Sequence, residues 1–410
     1  MSERFEAVVV GGGLAGAAAA ALLVRHAGIA PERIALLAAE LPAAVSADAP
    51  PELRVAAISR ASERVLRAAG AWERLPAARI SPYERMRVWH QSAALAGASA
   101  LSFDAADVGE PNLGYIAEMS VLQRACIESL SAAGGTLIQA PLEHLEIDPE
   151  FARLEVAGRA LEARIVIGAD GGHSVVREAA GLSVRSHDYR QLAIVATIET
   201  QQPHAHTAWQ RFLHTGPLAL LPLFDGHSSI VWSLDLAVAQ ELRDCGVAEF
   251  EARLDEASAL ALGATRLVSE RVSFPLRSLA ARSYVAERCA LIGDAAHVIH
   301  PLAGQGANLG LLDAAALCEQ IAAARELRED PGALRVLRRY EQQRRTHNLA
   351  MDAAMNLFKS GFAAPGASTA WLINQALALV NRSGVLKRAF PRQALGTAGE
   401  LPRLARAPLM

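Results

Sequence analysis

Cysteine is scarce in this 410-residue chain: Cys126, Cys245, Cys289 and Cys318 are the only four, and no two stand close enough for a CxxC pair. That spacing builds neither a zinc finger nor a disulfide framework, so four free thiols in a reducing compartment are expected. Surplus charge is lacking as well. Lys and Arg number 40 against 43 Asp and Glu, a net charge of −3, which excludes the basic footprint of a nucleic-acid-binding surface. No Gly-x-Ser-x-Gly elbow occurs, which removes the usual signature of a serine hydrolase. There is no internal repeat, no low-complexity tract and no second GxGxxG. One long uncharged run exists, Ala7 to Val24, but Gly11, Gly12, Gly13 and Gly16 break it and alanine makes up much of the rest, so it is not a membrane span. No basic leader with a cleavage site and no Arg/Ser-rich transit segment precedes it. A cytoplasmic protein is expected.

What is plentiful is apolar character. Hydrophobic residues are 52% of the chain, enough for a large core, and the length calls for two domains or one domain with a second built from its insertions. Phe5 to Val10 reads as a buried strand, Leu14 to Ala27 as an alanine-rich helix and Arg33 to Ala38 as a second strand, a βαβ opening. Segment 41–52 reads as a loop, Ser59 to Ala69 as a helix and 80–104 as short strands and turns. Ser120 is the expected N-cap of a helix running to Ala133 and ended by Gly134-Gly135. Strands are expected at 136–140, 143–147, 152–156 and 164–168. Segment 189–235 alternates polar and apolar residues around turns at Gly216-Pro217 and Asp225-Gly226, the pattern of antiparallel sheet. A helix follows at 247–257 and strands at 268–274 and 288–292. Helices dominate from Gln305, with a long one near 331–358 and another near 368–380, before a loose end at 391–410.

Three motifs carry chemistry. Gly11-x-Gly13-x-x-Gly16 sits where a strand turns into a helix. The first glycine permits the turn, the second lets a pyrophosphate approach the backbone, and the third lets helix and strand pack closely. The N–H groups of Leu14, Ala15 and Gly16 then open a helix whose positive end faces the phosphates. An acid is expected at the end of the second strand for the ribose hydroxyls. Ala38 stands there, so either Glu40 reaches the ribose or the contact is missing. The second motif is Gly168-Ala169-Asp170-Gly171-Gly172-His173-Ser174-Val175-Val176-Arg177, directly after an apolar strand. The third is Gly293-Asp294-Ala295-Ala296-His297, continuing through His300-Pro301-Leu302-Ala303-Gly304-Gln305-Gly306-Ala307-Asn308-Leu309-Gly310. Asp294 ends a strand and can bind a polyol, and the glycine run opens a helix that forms an anion site. His297 and His300 lack a carboxylate or cysteine to complete a metal site. His204 and His206 read as exposed turn residues. Trp209, Phe212, Leu220 and Trp232 suit either an apolar substrate cavity or the core.

In order and separation, these motifs resemble those of group A flavin-dependent aromatic hydroxylases. Leu53-Arg54-Val55-Ala56-Ala57, Ser81-Pro82-Tyr83-Glu84-Arg85, Gly114-Tyr115-Ile116-Ala117-Glu118 and the His297 to Gly310 string are similar to the UbiH/VisC-type hydroxylases of ubiquinone biosynthesis. The resemblance implies an α/β fold: a Rossmann-type FAD-binding domain (1–75, 101–181 and 273–345) with an inserted antiparallel-sheet substrate domain (76–100 and 182–272) and a C-terminal helical segment (346–410). It implies that Gly11, Gly13 and Gly16 hold the pyrophosphate of FAD and that Arg54 and Gln123 contact its middle. Asp170 would belong to a motif tied to FAD and NAD(P)H, and Asp294 would bind the ribityl chain. Pro301 and Gly304 to Asn308 (Gln305, Gly306 and Ala307 among them) would line the isoalloxazine, with no dedicated nucleophile. NAD(P)H would be a transient electron donor, and O₂ the source of an oxygen placed on a polyprenylated phenol. Ala38 departs from the family pattern, which has Glu there. Another aromatic substrate, a flavin reductase that does not use oxygen, and a non-catalytic FAD-bound subunit of a biosynthetic complex remain as alternatives. Other ubiquinone-biosynthesis proteins are possible partners. Apolar residues from Met355 to Phe390, interleaved with Lys359, Arg382, Lys387 and Arg388, could form a peripheral contact with the inner membrane, or else a cap or subunit interface.

Overall fold

The computed structural model describes residues 3–46, 48–97, 99–299, 306–363 and 400–407, the segment 350–363 as backbone. The chain opens with β1 (Glu3–Val10), α1 (Leu14–His26) and β2 (Ile34–Leu37). β3 (Val55–Ser59), α2 (Arg60–Ala68), β4 (Ile80–Tyr83), β5 (Arg85–His90) and β6 (Leu101–Asp104) follow. β7 (Gly114–Glu118) then leads into α3 (Met119–Ala132). β8 (Thr136–Ile138), β9 (Leu142–Ile147), β10 (Ala152–Val156), β11 (Arg159–Gly168) and α4 (Val175–Ala179) complete the first half. The second half begins with β12 (Val184–Thr200), β13 (Thr207–Leu213), β14 (Gly216–Pro222) and β15 (Ser228–Asp235). α5 (Leu236–Asp244), α6 (Val247–Ser258), β16 (Thr265–Leu267) and β17 (Val272–Ala281) come next. β18 (Val285–Ala286), β19 (Cys289–Leu291), β20 (His297–Val298), α7 (Gly306–Glu326) and α8 (Leu334–Ala363) close the described elements.

β1 lies parallel between β2 and β11, β2 is parallel to β8, and β11 is parallel to β19. β2 and the Ala7–Val10 end of β1 are buried on both faces, which is why they read as continuous apolar runs and not as alternation. α1 packs on this sheet with Ala17, Ala18, Ala20 and Ala21 fully buried. Their short side chains let the helix axis come close. The second sheet runs β20-β17-β12-β15-β14-β13-β5-β6, and β16 pairs with β12 at its side. It therefore includes β6 and the whole of β17, strands that lie beyond the 76–100 and 182–272 bounds expected for the substrate domain.

One face of that second sheet is covered by α5 and α6. Ile194, Ile198, Leu218, Leu220, Ile230, Trp232 and Leu234 pack there against Leu242, Phe250 and Leu254. Leu220 and Trp232 are thus core residues. Trp209 shares their face and meets Trp89 edge-on at 6.2 Å between ring centroids. Phe212 turns to the other face, where it packs with Tyr83, Val88 and Phe103. α5 was not expected from the sequence, because its nine residues directly follow the alternating block and bury only Ala239 and Leu242.

The N-cap expected at Ser120 is also displaced. The helix begins at Met119, and Ser120 Oγ instead donates to Glu52 Oε2 at 2.6 Å. Glu118, at the cap position, cannot serve the helix because Arg79 holds its carboxylate. Arg79 Nε and Nη2 donate to the two Glu118 oxygens at 2.7 and 2.5 Å, and both side chains are 1% exposed. The same guanidinium donates to the carbonyls of Ser46, Ala49 and Pro50 and lies 4.8 Å from the Phe224 ring centroid. One arginine so joins the loop before β3, the end of β7 and the β14–β15 turn. Glu118→Ala should strip that buried cation of its two-pronged carboxylate partner, lowering unfolding free energy by about 3–5 kcal/mol. Urea denaturation compared with Glu128→Ala, which removes the exposed Arg124–Glu128 pair of α3, checks this, the control being worth under about 1 kcal/mol.

Candidate cofactor and active site

The three motifs issue from neighbouring strand ends. Gly11 N donates to Leu37 O at 2.8 Å, Ala169 N to Val10 O at 2.8 Å, and Ile292 N to Gly168 O at 2.9 Å. β2, β1, β11 and β19 therefore end on one rung, and the loops after them open on one edge of the sheet. Ligands of open α/β sheets bind at such carboxyl ends.

Each glycine of the first motif has a distinct reason to be there. Gly11 has φ +115°, and a Cβ on it would stand 2.3 Å from Ala169 O. A Cβ on Gly16 would stand 2.0 Å from Gly11 O. Gly13 is different: its φ of −63° suits any residue, and a Cβ there meets nothing within 4 Å. The first and third glycines are required by the protein's own packing. The second faces open space at the N-terminus of α1, which fits a phosphate approached by backbone N–H groups. Gln123 Nε2 donates to Gly12 O at 2.6 Å and braces the turn from α3. Leu14 is buried, and Ala15 packs against Gly293 and Gly310, where added β-carbons would lie 3.1 and 3.0 Å from its own. The first and third motifs are pressed together through these small residues.

At the end of β2 Ala38 is fully buried, and its Cβ lies 2.5 Å from where a Cβ on Gly12 would be. Glu40 is exposed two residues on. Arg54 is exposed too, just before β3, and its carbonyl accepts from Met119 N at 2.9 Å.

Asp294 is accessible to solvent, yet protein surrounds it on most sides, as on the floor of a cleft. Burial pushes its carboxyl up, and His297 and Arg54 pull it part of the way back. An accessible carboxylate within electrostatic reach of an accessible arginine, on the same sheet edge as the open space at Gly13, is a donor set that fits a polyol phosphate such as the ribityl diphosphate of FAD. Asp170 stands apart from this set. Ser174 Oγ donates to its Oδ1 at 2.5 Å and Val176 N to its Oδ2 at 3.2 Å, so it shapes its own turn. Arg177, buried in the same motif, donates to Ala295 O at 3.0 Å and to Gly172 O at 2.8 Å, which holds the second motif against the third.

Pro301, Gly304 and Gln305 lie outside the described residues, as does the helix expected at 368–380. α7 begins at Gly306, with Ala307 half-buried and Asn308 buried. The Asn308 amide is occupied with β3: its Oδ1 accepts from Ser59 N at 2.9 Å and its Nδ2 donates to Ala57 O at 2.8 Å. It fixes the start of the helix against that strand.

A buried polar cluster behind the site escaped the sequence reading. Asp313, on α7 and 0% exposed, accepts from Gly293 N at 3.1 Å and meets His297 Nε2 at 2.5 Å through one oxygen. Its other oxygen accepts from Arg344 Nε at 2.8 Å and Asn348 Nδ2 at 3.3 Å. Burial alone would raise this carboxyl, but His297 and Arg344 outweigh it and hold it well below the usual range. A lone acid amid the apolar run from Leu309 to Cys318 was the available signal.

Two expectations follow from the site. Gly13→Val should fold with the parent's denaturation midpoint and lose FAD by at least about a hundredfold in affinity, since the side chain enters the space a pyrophosphate needs. Gly11→Val should lose stability itself, which thermal melts of the two apoproteins would separate. Asp294→Ala should weaken FAD by about a hundredfold, as expected for a charged hydrogen bond of about 3 kcal/mol. Glu40→Ala should change it by less than about threefold. Flavin fluorescence titration of each apoprotein measures both, and the reverse order would put the ribose contact at Glu40.

Comparison with known proteins agrees with this geometry. A profile of the FAD binding domain family matches residues 4–354. The chain is 36% identical over 398 residues to 3-demethoxyubiquinol 3-hydroxylase of Escherichia coli (strain K12), covering 96% of this chain and 99% of that one. It is also 36% identical over 412 residues to ubiquinone hydroxylase UbiL of Rhodospirillum rubrum, covering 98% and 92%. Among solved structures, p-nitrophenol 4-monooxygenase PnpA from Pseudomonas putida DLL-E4 superposes with a TM-score of 0.76 at 19% identity, covering 96% of this chain and 99% of that one. The chain belongs to the FAD-binding family that includes these ubiquinone-biosynthesis hydroxylases.

Proposed function

We propose that this chain is an FAD-dependent monooxygenase that hydroxylates the aromatic ring of a polyprenylated phenol in ubiquinone biosynthesis. NAD(P)H and O₂ are consumed: one oxygen atom enters the ring, and the other leaves as water with the two electrons of the nicotinamide. The observation that carries the reading is the 36% identity to two hydroxylase relatives over 96% and 98% of this chain.

The second sheet suits such a substrate. Its face away from α5 and α6 carries Ala193 and Val195 on β12, Ala219 and Leu221 on β14, and Val231 on β15, matched across the strands. Ala219, Leu221 and Val231 are only half-buried, and Phe274 beside Ala193 is 38% exposed. Leu221 packs in the cluster that holds Ala57, the β3 residue bound by Asn308, so this face looks toward the start of α7. An apolar face of this kind would suit a ring and a prenyl chain and would help keep water out, which protects oxygen chemistry from side reactions.

Bound FAD supplies hydride acceptance and oxygen activation. The protein's own part is to hold and orient. Gly13 and the α1 N-terminus would take the pyrophosphate, Asp294 and Arg54 the polyol portion, and the apolar sheet face the ring. No side-chain nucleophile is needed. Because polyprenylated phenols reside in the bilayer, the reading includes peripheral contact with the inner membrane or delivery by other ubiquinone-biosynthesis proteins. No helix among the described residues is long and apolar enough to cross a membrane.

The FAD-loaded protein should consume O₂ and NAD(P)H when given a polyprenylated phenol and release a product with one added oxygen by mass spectrometry. Flavin bleaching without an oxygenated product would make it a reductase. No bleaching even with substrate present would make it a non-catalytic subunit.

A further inference from the structure

The Gly293–His297 turn carries Asp294, and a single atom grips it at both ends. Asp313 Oδ2 accepts from Gly293 N at 3.1 Å, one residue before Asp294, and meets His297 Nε2 at 2.5 Å, three residues after it. Gly293 sits at a φ of +56°, in the left-handed region that glycine enters freely, and the tie holds this otherwise mobile residue in one conformation. Asp313 Oδ1 runs the other way, to Arg344 and Asn348 of α8, and Arg344 Nη2 donates to Asn348 Oδ1 at 2.9 Å. Asp313 and Arg344 are both 0% exposed, so their charges compensate each other away from water. A buried ion pair of this kind is weak evidence of added stability, but it specifies position well. We propose that Asp313 and His297 are positioning residues for the flavin: they fix the turn from behind, so that Asp294 is presented to the cofactor with its charge supported by His297.

The electrostatic surroundings allow a test that separates this role from plain packing. Asp294 is faced by His297 and Arg54. Asp313 is faced by His297 and Arg344 and by the hydroxyls of Tyr284 and Tyr340; Tyr284 also sees Arg345, and Tyr340 sees Glu341. Burial raises the Asp294 carboxyl and His297 opposes that rise. Removing the charge His297 carries when protonated therefore leaves the rise less opposed, and Asp294 takes its proton at higher pH.

FAD affinity of the full-length apoprotein is measured by flavin fluorescence from acid to mildly alkaline pH. In the parent it should fall on acidification as Asp294 is protonated, and Asp294→Asn should be weak and flat. His297→Gln keeps a hydrogen-bond donor for Asp313 but cannot be charged. Its binding midpoint should move upward by about one pH unit, with affinity recovering toward the parent at the alkaline end. Asp313→Asn, which keeps the shape and loses acceptor capacity, should bind FAD about tenfold more weakly at every pH. An unmoved midpoint in His297→Gln, with affinity merely lowered throughout, overturns the proposal. Parental affinity in a folded Asp313→Asn does so too. Should Asp313→Asn fail to fold, the His297→Gln midpoint decides alone.

Discussion

Three backbone hydrogen bonds across the ends of β2, β1, β11 and β19 determine where the chemistry of this protein can occur. Because these strands are parallel and end together, the segments that leave them, from parts of the chain well over a hundred residues apart, open side by side. Close approach is then enforced by absent side chains. Gly11 lies against Ala169, Gly16 against Gly11, and Ala15 against both Gly293 and Gly310. The site is assembled by sheet register first and only then furnished with polar groups.

Those polar groups fall into two kinds. Some are spent inside the protein: Asp170 on its own turn, Arg177 on the carbonyl of Ala295, Asn308 on β3, and Gln123 on Gly12. Others, Asp294 and Arg54, remain accessible and near each other. A preorganised site needs both, since a ligand-facing group holds its geometry only when its support is already bonded. The motif residues most evident in a string of letters are thus divided between holding a ligand and holding the residues that do.

Much of this was legible in the sequence. Strand, glycine turn and helix over residues 5–27 form a local pattern, and β10 and α6 fall within a residue of their expected positions. What could not be read depends on distant partners. The cap expected at Ser120 is lost because the helix already begins at Met119 and the serine hydroxyl goes to Glu52, 68 residues earlier in the chain. Asp313, Arg344 and Asn348 meet across two helices, and only the oddity of one acid in an apolar run marked any of them. Trp232 and Leu220 were equally compatible with cavity and core, since alternation reveals two faces of a strand and not what covers each. The helices α5 and α6 decide it.

The scarcity of cysteine has a bearing on the enzyme's own survival. Cys126 and Cys289 are fully buried, with thiols pushed up to about 12, and burial raises Cys318 as well. The oxidisable form of cysteine is the exposed thiolate, and these three residues offer neither the charge nor the access. A catalyst that handles oxygen at every turnover thus keeps three of its four thiols in a form that peroxide attacks slowly, and only Cys245 is half-buried.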